Sequence, residues 1–153
     1  DFFESNSSGS GSGNSSSSNN HYVGEQFGGG VVFHVYNDSL GEQHGYIIAP
    51  HELGPCQWGL YGTDVPGCEP GDGLTNTNAI IAAGSLPTDA ANLCANYSNG
   101  GFSDWFLPSL DELNELLLLP NIIDYNSLEL PSFFWSSTGR NSIKKYNWYL
   151  WKR

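Results

Sequence analysis

After Phe2 and Phe3, hydrophobic positions are absent up to Asn20 and then arrive in short, regular groups. The stretch SNSSGSGSGNSSSSNN (Ser5 to Asn20) holds no apolar side chain. Residues 1–20 therefore read as a flexible Ser/Gly/Asn-rich linker, and 21–153 as the folded domain. GGGVVFHVY (Gly28 to Tyr36) predicts a strand entered through glycines, and GYIIAP (Gly45 to Pro50) a second. The segment between them has turn composition, so the two form a hairpin. A long Gly- and Pro-rich loop follows, from His51 to Thr77. Thr77 to Gly84 predicts a short helix. Pro87 to Tyr97 predicts another, with Thr88 as N-cap and Ala90, Leu93, Cys94 and Tyr97 at helical spacing. Ser109 and Glu112 fit a capping box ahead of an apolar face of Leu110, Leu113, Leu116 and Leu117. SFFWSST (Ser132 to Thr138) and YNWYLW (Tyr146 to Trp151) predict two closing strands. The order strand, strand, helix, helix, strand, strand predicts an α+β domain. It would have a twisted antiparallel sheet, flanking helices on one side and long loops.

Composition supports this picture. Hydrophobic residues are 39% of 153, aromatics 14%, and there are 19 Gly. That mixture suits one domain of short strands and tight turns rather than a helical bundle. No run of about 18 apolar residues exists to span a membrane. Charge narrows the partners. The formal net charge is −11; all 16 acidic residues precede Arg140, and all five basic ones lie from Arg140 to Arg153. Nucleic acid, heparin and anionic lipid each need a basic surface, which only the C-terminal tip offers.

Several groups carry candidate chemistry. Cys56 and Cys68 bracket a Gly/Pro loop, and in an extracellular setting a disulfide between them is expected, which would rigidify it. Cys94 on a helix face reads as a small buried hydrophobe. His44 and His51 with Glu52 are possible zinc ligands at a spacing that matches no known site. His34 sits mid-strand on one sheet face. Asp64, Glu69, Asp72, Asn76 and Asn78 supply oxygens of the kind calcium takes, and equally the residues that close turns. Asp104, Asp111, Glu112 and Glu115 cluster in sequence as glycosidase carboxylates would. A helix start already accounts for Asp111 and Glu112, a solvated face for Glu115, and turn hydrogen bonds for Asp104. Asp104, Trp105, Pro108, Ser109 and Glu112 thus read as a structural corner, with Trp105 or Phe106 entering the core. No catalytic residue is assigned.

GGGVVFHVY, HGYIIAP, QWG, GDGLTNTNAII, AANLCANYSNGGFSDWFLPSLDEL and FWSST follow one another in this order. Together, from about Gly28 to about Leu150, the chain resembles the C-terminal domain family of the Legionella collagen-like adhesin. The resemblance implies a C-type-lectin-like fold with two flanking helices, a secreted or surface location, and no catalytic residues. It also implies further strands after the FWSST pair, so a domain ending at Arg153 is expected to lack the last strands. The functional expectation is a non-catalytic binding or adhesion module for a glycan or protein. The alternative is a structural subunit of an extracellular assembly. Trp58, Tyr61, Arg140, Lys144, Lys145, Tyr146 and Trp148 are the candidate ligand contacts. The 146–151 strand edge is a candidate for pairing with a second subunit. Asn6, Asn14, Asn37 and Asn96 stand in Asn-x-Ser contexts.

Overall fold

The computed structural model describes residues 20–51, 53–60, 62–119 and 135–138. It is α+β, with a three-stranded antiparallel sheet in the order β1-β2-β3. The strands are β1 (Gln26–Phe27), β2 (Gly30–Asn37) and β3 (Gln43–Ile48). The short β1 adds an edge that the hydrophobic pattern does not announce. Three helices follow: α1 (Gly73–Ala82), α2 (Ala90–Ala95) and α3 (Leu110–Leu117). Among the described residues, no helix is long and apolar enough to cross a membrane.

The β2–β3 hairpin contains the sheet's main irregularity. Val31 pairs with Ile48 and Val32 with Ile47, but His34, not Phe33, pairs with Tyr46. Phe33 is an extra residue, a bulge that reverses the side-chain alternation. Regular alternation would group His34 and Tyr36 with Val32. The bulge places them instead on the face of Val31, Tyr46 and Ile48. The inner end of that face is closed by α3, where Val31 and Leu116 pack with Phe33 and Ile48. The opposite face holds Val32, Ile47 and Trp105, with Phe27, Val35 and Phe102 against them. A third cluster, of Val65, Cys68, Ile80, Ala90, Ala91 and Leu107, joins the long loop to α1 and α2.

Two helix starts differ from the pattern-based expectation. Helix α1 begins at Gly73 rather than Thr77. The Asp72 carboxylate accepts the Thr75 N–H at 2.9 Å, and Glu112 Oε1 accepts the Gly73 N–H at 3.3 Å. Helix α2 begins at Ala90 with Asp89, not Thr88, as N-cap residue. Asp89 is buried and its Oδ2 accepts the Leu86 N–H at 2.7 Å, while the Ala90 N–H reaches Gln57 O at 2.9 Å. The expected strand at Ser132 to Thr138 is not formed in its described part. Trp135 to Thr138 has no strand conformation and is held by point contacts instead. Ser137 N–H donates to Pro108 O at 2.8 Å, Asn76 Nδ2 to Ser137 Oγ at 3.2 Å, and Leu110 N–H to Thr138 Oγ1 at 2.8 Å. The 146–151 strand and the 1–19 part of the linker lie outside the described residues.

At the far end of the sheet two backbone segments cross. Asn99 Nδ2 donates to Gly29 O at 2.8 Å, across 70 residues of sequence. Gly100 has φ +60, and a Cβ there would collide with the Gly28 carbonyl. Glycine is required at this crossing for both reasons.

Candidate functional site

The Ser109–Glu112 corner sets the frame. Ser109 Oγ accepts the Glu112 N–H at 3.4 Å, and Glu112 Oε2 accepts the Ser109 N–H at 2.6 Å. This is a complete capping box. Because Glu112 also takes the Gly73 N–H, one carboxylate starts two helices. Trp105 is buried and its Nε1 donates to Phe102 O at 3.2 Å, while Phe106 packs half-buried on the same cluster. Asp104 and Asp111 are exposed. Glu112 is committed to two backbone N–H groups.

What the frame leaves open is the outer half of the β2–β3 face. His34 and Tyr46 are direct cross-strand partners with ring centroids 5.7 Å apart. Tyr36 and His44 are the next such pair, stacked at 5.4 Å. His34 to Tyr36, at 5.6 Å, links the two pairs. Carboxylates border these rings. Glu115, projecting from α3, meets His34 Nδ1 at 2.9 Å, and Asp38 at the hairpin tip meets His44 Nε2 at 3.3 Å. Tyr36 is 39% exposed. The result is a row of four rings, open to solvent at Tyr36 and His34 and bordered by acids.

The tip is pre-shaped. Asp38 Oδ1 accepts the N–H groups of Leu40 at 2.8 Å and Glu42 at 2.9 Å. These backbone donors, led by Glu42, hold the Asp38 carboxyl below its usual range, and His44 adds to the effect. At the other end of the row, burial pushes the Tyr46 phenol up to about 12, and Tyr36 and the acids around it add to the shift. Asp38, Glu42 and His44 present ligand atoms within 4.8 Å of one another, the spacing a divalent cation needs. The turn by itself also explains why they meet.

The other candidates fare differently. Trp58 is half-buried and its Nε1 donates to Ser136 O at 2.8 Å, which makes it a tie between loops rather than a free contact surface. Tyr61, Arg140, Lys144, Lys145, Tyr146 and Trp148 lie outside the described residues. Asp72 caps α1. Asn76 is buried, with Oδ1 accepting the Glu69 N–H at 2.9 Å and Nδ2 donating to Glu69 O at 2.6 Å. These atoms close a turn, while Asp64, Glu69 and Asn78 are exposed. His44 meets Asp38 and Glu42 rather than His51, and Glu52 is not described.

Cys56 and Cys68 are not joined by a disulfide, contrary to the expected bridge. Cys68 is buried, with its Sγ 3.9 Å from Asn76 O, whereas Cys56 lies against α2. Cys56 and Cys94 line a largely apolar groove of about 630 Å³ between β3, the 53–56 loop, α2 and α3, with Trp135 and Trp105 in its walls. Burial pushes the Cys94 thiol up to about 12, and the nearby Cys56 sulfur adds to this. Such a thiol is not an activated nucleophile at neutral pH.

The ring row was legible in one respect. His34-Val35-Tyr36 and His44-Gly45-Tyr46 repeat a His-x-Tyr pattern in two strands expected to be antiparallel. Antiparallel pairing sets each His against a Tyr. Recognising that all four share one face with Val31 requires the bulge. No family model matches this chain, and neither a curated protein nor a solved structure does.

Proposed function

We propose that this chain is a non-catalytic binding module, displayed outside the cell on its Ser/Gly linker, and that it takes a glycan on the open β2–β3 face. The observation that carries the reading is the cross-strand ring row His34–Tyr46 and Tyr36–His44 bordered by Glu115 and Asp38. Tyrosine rings offer flat apolar faces to the C–H surface of a sugar at low entropic cost. Imidazole and carboxylate groups take and give the hydrogen bonds that hydroxyls need. The apolar groove offers few such partners and suits a glycan less.

The acidic surroundings limit the ligand to an uncharged or amine-bearing sugar, since a sulfated or phosphorylated one would meet repulsion. The resemblance to adhesin C-terminal domains supports the same reading, and with it a C-type-lectin-like fold and an extracellular or cell-surface location. Support for a non-catalytic role comes from the acids themselves: Glu112 holds two helix starts and Glu115 holds His34.

A glycan array on the full 153-residue chain, paired with its mass in solution, tests the proposal. Binding of neutral or amino sugars by a monomer, lost in Tyr36→Ala, is the expected result. No glycan bound, with mass rising with concentration, would replace it with the structural-subunit alternative.

A further inference from the structure

Cys56 and Cys94 are far apart in sequence but are brought together by one backbone contact. Gln57 forms a bridge with Asp89, and its carbonyl accepts the Ala90 N–H at 2.9 Å. Cys56 is thereby held beside the first turn of α2. Cys94 lies four residues after Ala90, one helical turn on, on the same helix face. Both cysteines pack on the cluster that contains Ala90, and both line the groove. The Cys56 backbone is fixed further by Trp135, whose Nε1 donates to Cys56 O at 3.2 Å. Cys68 does not line the groove.

We infer that Cys56 and Cys94 form a site for an intramolecular disulfide, made by exchange with a small-molecule disulfide, and that Cys68 takes no part. Cys56 is the entry thiol, being at the groove's loop side and not on a helix. Its sulfur attacks the small disulfide, forming a mixed disulfide and expelling one half as a thiolate, which takes up a proton. Cys94, deprotonated, then attacks the Cys56 sulfur and releases the other half. Two protein thiols lose two protons and two electrons to one S–S bond, and the small disulfide is reduced to two thiols. Both sulfurs are held above the ordinary thiol range, Cys56 by burial and then by Asp89. Exchange is therefore slow near neutrality and quickens about tenfold per pH unit. Once made, the bond staples the 53–58 loop to α2.

The full chain is incubated under native conditions at mildly alkaline pH with oxidised glutathione, quenched by alkylation and digested without reduction. Trypsin is unsuitable, because no Lys or Arg precedes Arg140. Cleavage ahead of Asp38, Asp64, Asp72, Asp89 and Asp104 places the three cysteines on separate fragments. The expected product joins the Cys56 and Cys94 fragments and leaves Cys68 alkylated. In Cys94→Ser the reaction stops at a glutathione adduct on Cys56. A Cys56–Cys68 link in the wild-type chain, or adducts at equilibrium with no internal link, overturns the inference.

Discussion

Glu112 shows how much one side chain can organise. It accepts the N–H of Ser109, which opens its own helix, and of Gly73, which opens another 39 residues earlier. Both donors are buried, so removing the acceptor leaves two unsatisfied groups. Glu112→Ala is expected to lose roughly 3 kcal/mol in urea melts, and Glu112→Gln, which keeps one acceptor, roughly 1 kcal/mol. Tyr46 gives a pH signature at the same scale. Its phenol is raised from 10.0 to about 12, so the neutral form is favoured in the folded chain. Its contribution is present in full below pH 10 and is lost as pH rises through 12. Phenolate absorbance should show a late ionisation step near pH 12, and Tyr46→Phe should remove that step and soften the alkaline loss of stability.

Among the elements, the β2–β3 hairpin carries both the proposed site and the clearest test of it. Tyr36 is the most exposed ring of the row and lies outside the clusters that hold the sheet to the helices. Tyr36→Ala should weaken glycan binding about tenfold or more while changing stability by less than about 1 kcal/mol. Glu115→Gln should weaken binding less, since His34 then keeps a neutral partner. The hairpin itself was readable from alternation and turn residues. Its bulge was not, because an extra residue in a strand leaves no compositional mark; the cross-strand partners decide it. The start of α1 did carry a local signal, the Asp72 carboxylate on the Thr75 N–H, but it lies in a Gly-rich stretch of turn composition; Glu112, from a distant segment, takes the Gly73 N–H as well. Asp89 outcompeted Thr88 because it is buried where Gln57 crosses, again a tertiary fact. By contrast, the α3 start was legible: Ser109 and Glu112 lie three residues apart and cap each other locally. Of the contact residues suggested by the sequence, Trp58 is occupied by Ser136, and the proposed site uses the rings of the hairpin instead.

For the whole molecule, charge is the governing property. The described residues contain no Lys or Arg, and the ion pairs among them are acid to imidazole: His21 with Glu25, His34 with Glu115 and His44 with Asp38. A polyanion approaching the described surface finds no fixed cation to displace its counterions. The chain should elute from a heparin column at or below physiological salt; retention well above it would mean that the five cations from Arg140 to Arg153 act as a binding patch.

The crossing of Gly28 and Gly29 with Asn99 and Gly100 also bears on how long the native state lasts. It joins segments about 70 residues apart, so closing it costs chain entropy that local elements do not incur. Contacts of this range tend to form late, after the hairpin and the capped helices. A lesson in kinetics follows for Gly100→Ala, whose methyl would collide with the Gly28 carbonyl at a φ of +60. The loss, roughly 3 kcal/mol, should appear almost wholly as faster unfolding, with the refolding limb of the chevron little changed. The Gly28–Gly29 and Asn99–Gly100 segments then act as the latch whose release sets the lifetime of the folded domain.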